Sequence, residues 1–235
     1  MAPADDRAAV PRHAAFAALF SGATLVNLFR LDASILPAAS ASAEIADRAE
    51  TEWTAAHPTG TVIRRHLGTD PLAADAWGLA TTAGFTPEAD RTPAQKGALA
   101  LAATLVEELQ SADAVILAVP FYNFGVSQHF KAWADLVIAG SGPGAPLLKG
   151  TPTVLITTVG GGYGPGTPRE GWDHSTPYLE RVVRDVWQAD LTLIKRELTL
   201  AASTPGMESL KGLAEQQHSD ALAAARDAGR ALAGN

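Results

Sequence analysis

The run Ala114-Val115-Ile116-Leu117-Ala118-Val119 constrains this chain more than any other stretch, because it is apolar without alternation and halts at Pro120. Strands that present both faces to apolar surroundings read this way, and they belong to parallel sheets covered by helices on either side. Proline has no amide for a ladder, so pairing stops at Pro120 and a loop of Phe121, Tyr122, Asn123, Phe124 and Gly125 follows. Gly125 is expected to take backbone angles closed to other residues. In open parallel sheets the ligand crevice lies beyond the carboxyl ends of the strands, so Phe121 to Phe124 fall where a planar ring could rest. Taken alone, the same residues also read as an ordinary strand-to-helix turn.

The rest of the chain repeats the pattern. Thr24 to Leu31 reads as the first strand, and Asp32 to Ser42 leads into a helix expected over Ala43 to His57, with Ser40 or Ser42 as N-cap. Ser34, Ser40 and Ser42 could cap the helix alone, but hydroxyls and free amides at a helix mouth also suit a phosphate. Thr61 to Leu67 is expected as an edge strand, with His66 a solvated side chain rather than a base. Gly68 to Arg91 shows no sustained period and is expected to be a long connection over a pocket.

Thr92 caps a helix that starts at Pro93, with Leu99, Leu101, Leu105, Val106 and Leu109 as its apolar face. Gln128 to Ile138 is a further helix whose Phe130, Trp133 and Leu136 belong to a core or an interface, and Gly140 to Pro146 is a turn-rich connector. The strand Thr153 to Thr158 empties into Val159-Gly160-Gly161-Gly162-Tyr163-Gly164-Pro165-Gly166, a second ligand-sized loop or a surface lid. A helix from Thr176-Pro177 to Gln188, a strand Leu191 to Leu198 and an Ala-rich helix Ser209 to Ala233 complete the order βαβαβαβαβα. This order predicts an α/β doubly wound parallel sheet of five strands in the order 2-1-3-4-5, with helices on both faces. The first, third and fourth strands then end side by side, at the three special loops. The absence of glycine from Ser34 to Ser42 argues against a dinucleotide G-x-G-x-x-G fingerprint.

Composition narrows the function classes. Twenty-five acidic against eighteen basic residues give a net charge of −7 with no long basic run, which argues against nucleic acid. Without cysteine there is no disulfide, thiolate nucleophile or Cys-based zinc site, and no metal site is expected. Residues 1–23 read as an N-terminal extension before a domain over 24–235. Asp5 and Asp6 precede Arg7 there, which argues against a secretory signal, and the apolar patch Ala14 to Phe20 is short for a membrane span. A soluble cytoplasmic protein is expected.

At this point the sequence resembles the FMN-dependent NADH-azoreductases, also described as quinone reductases, of the flavodoxin-like fold. Ser34-Ile35-Leu36 with Ser40-Ala41-Ser42 is similar to the family's S-x-L-x(3)-S-x-S loop, and Pro120-Phe121-Tyr122-Asn123-Phe124 to its P-M-Y-N-F. Thr157-Thr158-Val159-Gly160-Gly161 corresponds to S-R-G-G, with Val159 in place of the motif's arginine. The resemblance implies that Ser34, Ser40, Ala41 and Ser42 hold the FMN phosphate. Pro120 to Phe124 would line the isoalloxazine edge, and Thr158, Val159, Gly160 and Gly161 its pyrimidine side. It implies NADH or NADPH as electron donor and a small aromatic, azo or quinone-like acceptor reduced in a ping-pong sequence. It further implies a homodimer that uses the helix around Trp133. As side chains able to give a proton to the reduced product, Tyr163 and His174 are candidates beside solvent itself. The Gly140 to Gly150 connector lacks the family's aromatic segment, while Gly166 to His174 is long and polar and could cap the pocket, features of a member specialised for a biosynthetic pathway. Two rival readings are a flavodoxin-like electron carrier and a scaffold that has lost its flavin.

Overall fold

The computed structural model describes residues 26–234; the expected extension over 1–23 and the first residues of the expected first strand lie outside them. Five strands form one parallel sheet: β1 (Asn27–Asp32), β2 (Thr61–His66), β3 (Ala114–Ala118), β6 (Pro152–Thr158) and β7 (Asp190–Arg196). Between β3 and β6 the two short strands β4 (Phe121–Tyr122) and β5 (Gly125–Val126) pair as an antiparallel hairpin. The order across the sheet is β2-β1-β3-β6-β7, which is the expected 2-1-3-4-5 once the hairpin is set aside.

Helices α1 (Ala41–Ala56), α2 (Ala76–Gly84), α3 (Pro93–Gln110), α4 (Gln128–Ser141), α5 (Thr176–Glu180) and α6 (Lys211–Ala233) cover both faces. Because successive side chains of a strand point oppositely, the two halves of β1 and β3 feed two cores. Leu28, Ile116, Ile156 and Ile194 meet Ile45, Ala49 and Trp53 of α1 and the Ala221, Ala225, Ala228, Leu232 stripe of α6. Phe29, Leu31, Val115, Leu117 and Leu155 meet Ala102, Leu105 and Leu109 of α3 and Phe130, Trp133 and Val137 of α4. The small stripe of α6 brings two backbones together: a Cβ on Gly229 would lie 2.3 Å from the Ala49 carbonyl oxygen. Arg30, buried in β1, is accommodated by Asp32, Asp47 and Glu50. Burial alone would lower its pKa; the hydrogen bonds and charges of Asp32 and Asp47 raise it instead.

Three expectations need correction, and a fourth takes one of its two forms. Gly68 to Arg91 is not merely a connection: Ala76, Ala80 and Ala83 recur at helical spacing, and α2 buries them against α3 and α4. The aromatics of α4 take the core, one of the two places expected for them: Phe130 and Trp133 are fully buried and Trp133 stacks on Phe29 with ring centroids 6.2 Å apart. The helix expected to reach Gln188 is regular only to Glu180, then widens over Arg181–Val186, where the Trp187 amide donates to the Val182 carbonyl five residues back. Finally, the loop after β3 is a tight hairpin in which Asn123 and Phe124, not Gly125, take positive φ, +48° and +67°. Two consecutive left-handed residues make the turn type that matches strand twist, and a phenylalanine there is strained.

Candidate functional site

The site lies at the carboxyl ends of β1, β3, β6 and β7. After β1 the chain turns at Ser34, which is buried, and passes through a short 3-10 turn over Pro37–Ala39 into α1. Ser40 is the N-cap: its Oγ accepts from the Ala43 amide at 3.1 Å and lies 3.2 Å from Ser42 Oγ. The first turn of a helix has amides without intrahelical acceptors, so those of Ala41 and Ser42 stand as donors at the mouth. Pro37 to Ala41, Ala43, Glu44, Asp47 and Arg196 line a cavity in front of them.

Tyr122 ties this loop to the hairpin. Its hydroxyl is 3.3 Å from Ser34 Oγ and accepts from the Ile35 amide at 3.2 Å. Gly68 closes the loop from behind, since a Cβ there would fall 1.9 Å from the Ser34 carbonyl oxygen.

On the other side, Thr158 and Val159 are buried. The Val159 amide donates to Arg196 O and its carbonyl accepts from Thr199 N, which pins the start of the glycine loop to the end of β7. The amides of Gly160, Gly161 and Gly162 donate to no acceptor among the described residues. Phe121 packs against Tyr163 with centroids 4.8 Å apart, and Phe124 against Tyr163 and Trp172 at 6.4 and 5.9 Å. Arg169 places its guanidinium 5.6 Å from the centre of the Tyr163 ring, with Nη1 3.4 Å from the hydroxyl. His174 is exposed; its amide donates to the Phe124 carbonyl, and with Phe124 and Trp172 its side chain lines a shallow cleft. The polar segment 166–174 thus packs against the hairpin turn. Of the two candidate proton donors, His174 opens onto the cleft and Tyr163 is buried beneath Arg169.

Reading the sequence missed three residues at the end of β7. Lys195 Nζ lies 3.0 Å from both Asp173 Oδ2 and Glu197 Oε1. Glu197 Oε2 accepts from the amides of Tyr163 and Gly164, while Asp173 accepts from the amides of Ser175 and Thr176 and from the Thr176 hydroxyl. One ammonium therefore couples the glycine loop to the capping segment. Burial would raise the Asp173 carboxyl and lower the Lys195 ammonium; the Thr176 donors and Lys195 hold Asp173 below the usual carboxylate range, and the two acids hold Lys195 above its own. Arg196 points to the opposite face, into the cavity at α1. A Lys-Arg-Glu run at the carboxyl end of a strand in an open parallel sheet was the available signal.

The sequence matches the model of the flavodoxin-like fold family over residues 27–216. It is 40% identical over 214 residues to the FMN-dependent NADH:quinone oxidoreductase of Streptomyces avermitilis, covering 86% of this chain and 97% of that one. To the protein of the same description from Streptomyces coelicolor it is 38% identical over 213 residues, 86% and 95% of the two chains. The fold is similar to that of an FMN-dependent NADH-azoreductase from Bacillus anthracis solved in complex with FMN, with a TM-score of 0.68 at 14% identity over 88% and 99% of the chains. No helix among the described residues is long and apolar enough to cross a membrane.

Proposed function

Because the chain belongs to the flavodoxin-like fold family, beside the FMN-dependent NADH:quinone oxidoreductases it matches at 40% identity, we propose that it is an oxidoreductase of that kind. It binds FMN, takes reducing equivalents from NADH and passes them to a quinone, azo compound or related conjugated aromatic. One observation carries the reading above others: a helix mouth rich in hydroxyls and open amides, an aromatic wall and a run of free glycine amides meet at one end of the sheet.

The residues fit the cofactor. Ser34, Ser40 and Ser42 with the amides of Ala41 and Ser42 would hold the phosphate, favoured also by the helix dipole. Phe121 and Phe124 would flank the ring, and the Gly160 to Gly162 amides would face its polar edge, donating where negative charge gathers. FMN supplies two-electron redox chemistry when bound. What the chain contributes is orientation, shelter from water under segment 166–174, and His174 as a proton source beside the shallow cleft. A single cleft serves donor and acceptor in turn, hence a ping-pong order. The long segment 166–174 supports a specialised acceptor, of the sort met in a biosynthetic pathway.

We further infer a cytoplasmic protein in which 24–235 is the flavin domain and 1–23 an extension. A second copy would pack on the groove of exposed Trp77 and Phe85 with Leu99, Ile138 and Pro143, to be checked by the mass in solution.

The absorption spectrum of the purified protein, followed anaerobically after NADH and then NADPH, tests the reading. Oxidised-flavin bands that NADH bleaches rapidly are expected. A protein that FMN cannot reconstitute would be a scaffold, and a bound flavin that neither donor reduces would be a carrier. Tyr163→Phe with unchanged turnover would remove that hydroxyl from the proton path.

A further inference from the structure

A flavin phosphate carries close to two negative charges at neutral pH, and the serines and amides at the mouth of α1 are neutral. The cavity in front of them is also lined by two acids, Glu44 and Asp47. Asp47 is matched by Arg30 at 2.6 Å. Arg196 is the only cation among the residues lining that cavity, and its pairing is poor. Its Nη1 stands 3.4 Å from Glu44 Oε2, and its buried Nε finds no hydrogen-bond partner among the described residues. Burial holds the Arg196 pKa below the usual arginine value, with Glu44 offsetting only part of the effect. A guanidinium presents Nε and one Nη as a fork that fits two oxygens of a phosphate, and here half of that fork is idle. Glu44 has a second partner, His218 Nε2 at 2.8 Å, so it is not stranded when Arg196 turns away.

We propose that Arg196 is a phosphate-binding residue for FMN, turning its fork from Glu44 to the phosphate at the mouth of α1 while Glu44 stays hydrogen-bonded to His218. The assignment rests on the flavin reading and deepens it. It gives the phosphate site the one formal positive charge that the serine loop lacks, and it brings that charge from the far edge of the sheet.

The test compares FMN with riboflavin, which is the same ring and side chain without the phosphate, by quenching of flavin fluorescence on the full-length chain freed of flavin. Arg196→Met is expected to weaken FMN by roughly ten- to hundredfold, the range of a hydrogen bond to a charged group, with riboflavin changed less than about twofold. Arg196→Lys recovers part of the loss. Glu44→Gln, a half-exposed position that does not threaten folding, should tighten FMN over riboflavin by roughly two- to fivefold by freeing the guanidinium. Arg196→Met shifting both flavins together, or neither, would overturn the assignment. An unchanged FMN-to-riboflavin ratio in Glu44→Gln would do so too, even should the arginine variant not fold. A wild-type chain that prefers FMN no more than riboflavin also defeats it, whereas one that binds neither brings down the flavin reading itself.

Discussion

Replacing Lys195 by Met removes one ammonium and leaves Asp173 and Glu197 facing each other across the space it filled. The cost can be bracketed. Lys195 is 29% exposed, and its partners are 12% and 14% exposed. Breaking a buried pair costs about 3–5 kcal/mol and an exposed one at most about 1, so a partly sheltered centre should lose about 2 kcal/mol at pH 7. The pH dependence is the sharper part. Asp173 is depressed in the folded protein, so its contribution is complete above the ordinary aspartate value, near 3.9, and is lost as pH falls through the depressed one. Lys195 is raised, so its contribution is complete below the ordinary lysine value and is lost only as pH climbs through the raised one. In the Met variant Asp173 has lost the ammonium that helped hold its carboxyl down, so acid costs the variant less than the intact protein. Urea unfolding of the flavin-free protein at pH 7 and at about pH 3 should therefore show a deficit that shrinks in acid. Amide exchange should quicken at Tyr163, Gly164 and Thr176, the donors held by the two acids. A deficit equal at the two pH values, or below about 0.5 kcal/mol at pH 7, would refute the coupling.

Two further predictions probe the frame. Gly229→Ala drives a methyl to within 2.3 Å of the Ala49 carbonyl and should cost about 1–3 kcal/mol, lowering the thermal midpoint, whereas Gly78→Ala on α2, with open space around it, should not destabilise. Phe124→Gly and Phe124→Ala both remove the ring between Tyr163 and Trp172, but only glycine accepts φ of +67° without strain. The glycine variant should be the more stable by about 1 kcal/mol in urea, and both should raise the acceptor KM.

The sheet was legible because burial on both faces writes itself into β3 as an unbroken apolar run and into β6 as Val154-Leu155-Ile156, and because prolines and glycines follow where the strands stop. The serine loop was legible for the same reason: few other residues cap a helix. α2 was not, since Ala76, Ala80 and Ala83 are spaced for burial but carry too little apolar surface to stand out against Thr and Gly neighbours. The hairpin turn hid because left-handed geometry fell on Phe124, where propensity argues against it. Lys195, Arg196 and Glu197 hid because a charged edge strand ordinarily means solvent; only their partners on Asp173, Glu44 and the Tyr163 amide give them a role.

The end of strand β7 serves two bays at once, with Lys195 and Glu197 on the side of the glycine loop and Arg196 in the cavity at the mouth of α1, and it lies at an edge of the sheet with a partner on only one side. Since side chains alternate, sliding this strand by one residue would send Lys195 and Glu197 to the cavity at α1 and the guanidinium to the glycine loop. Substitutions in its exposed half can accumulate singly, but an insertion or deletion of one residue between Asp190 and Arg196 would exchange the side chains of both bays together. The spacing of this strand is therefore a stricter inheritance than its composition.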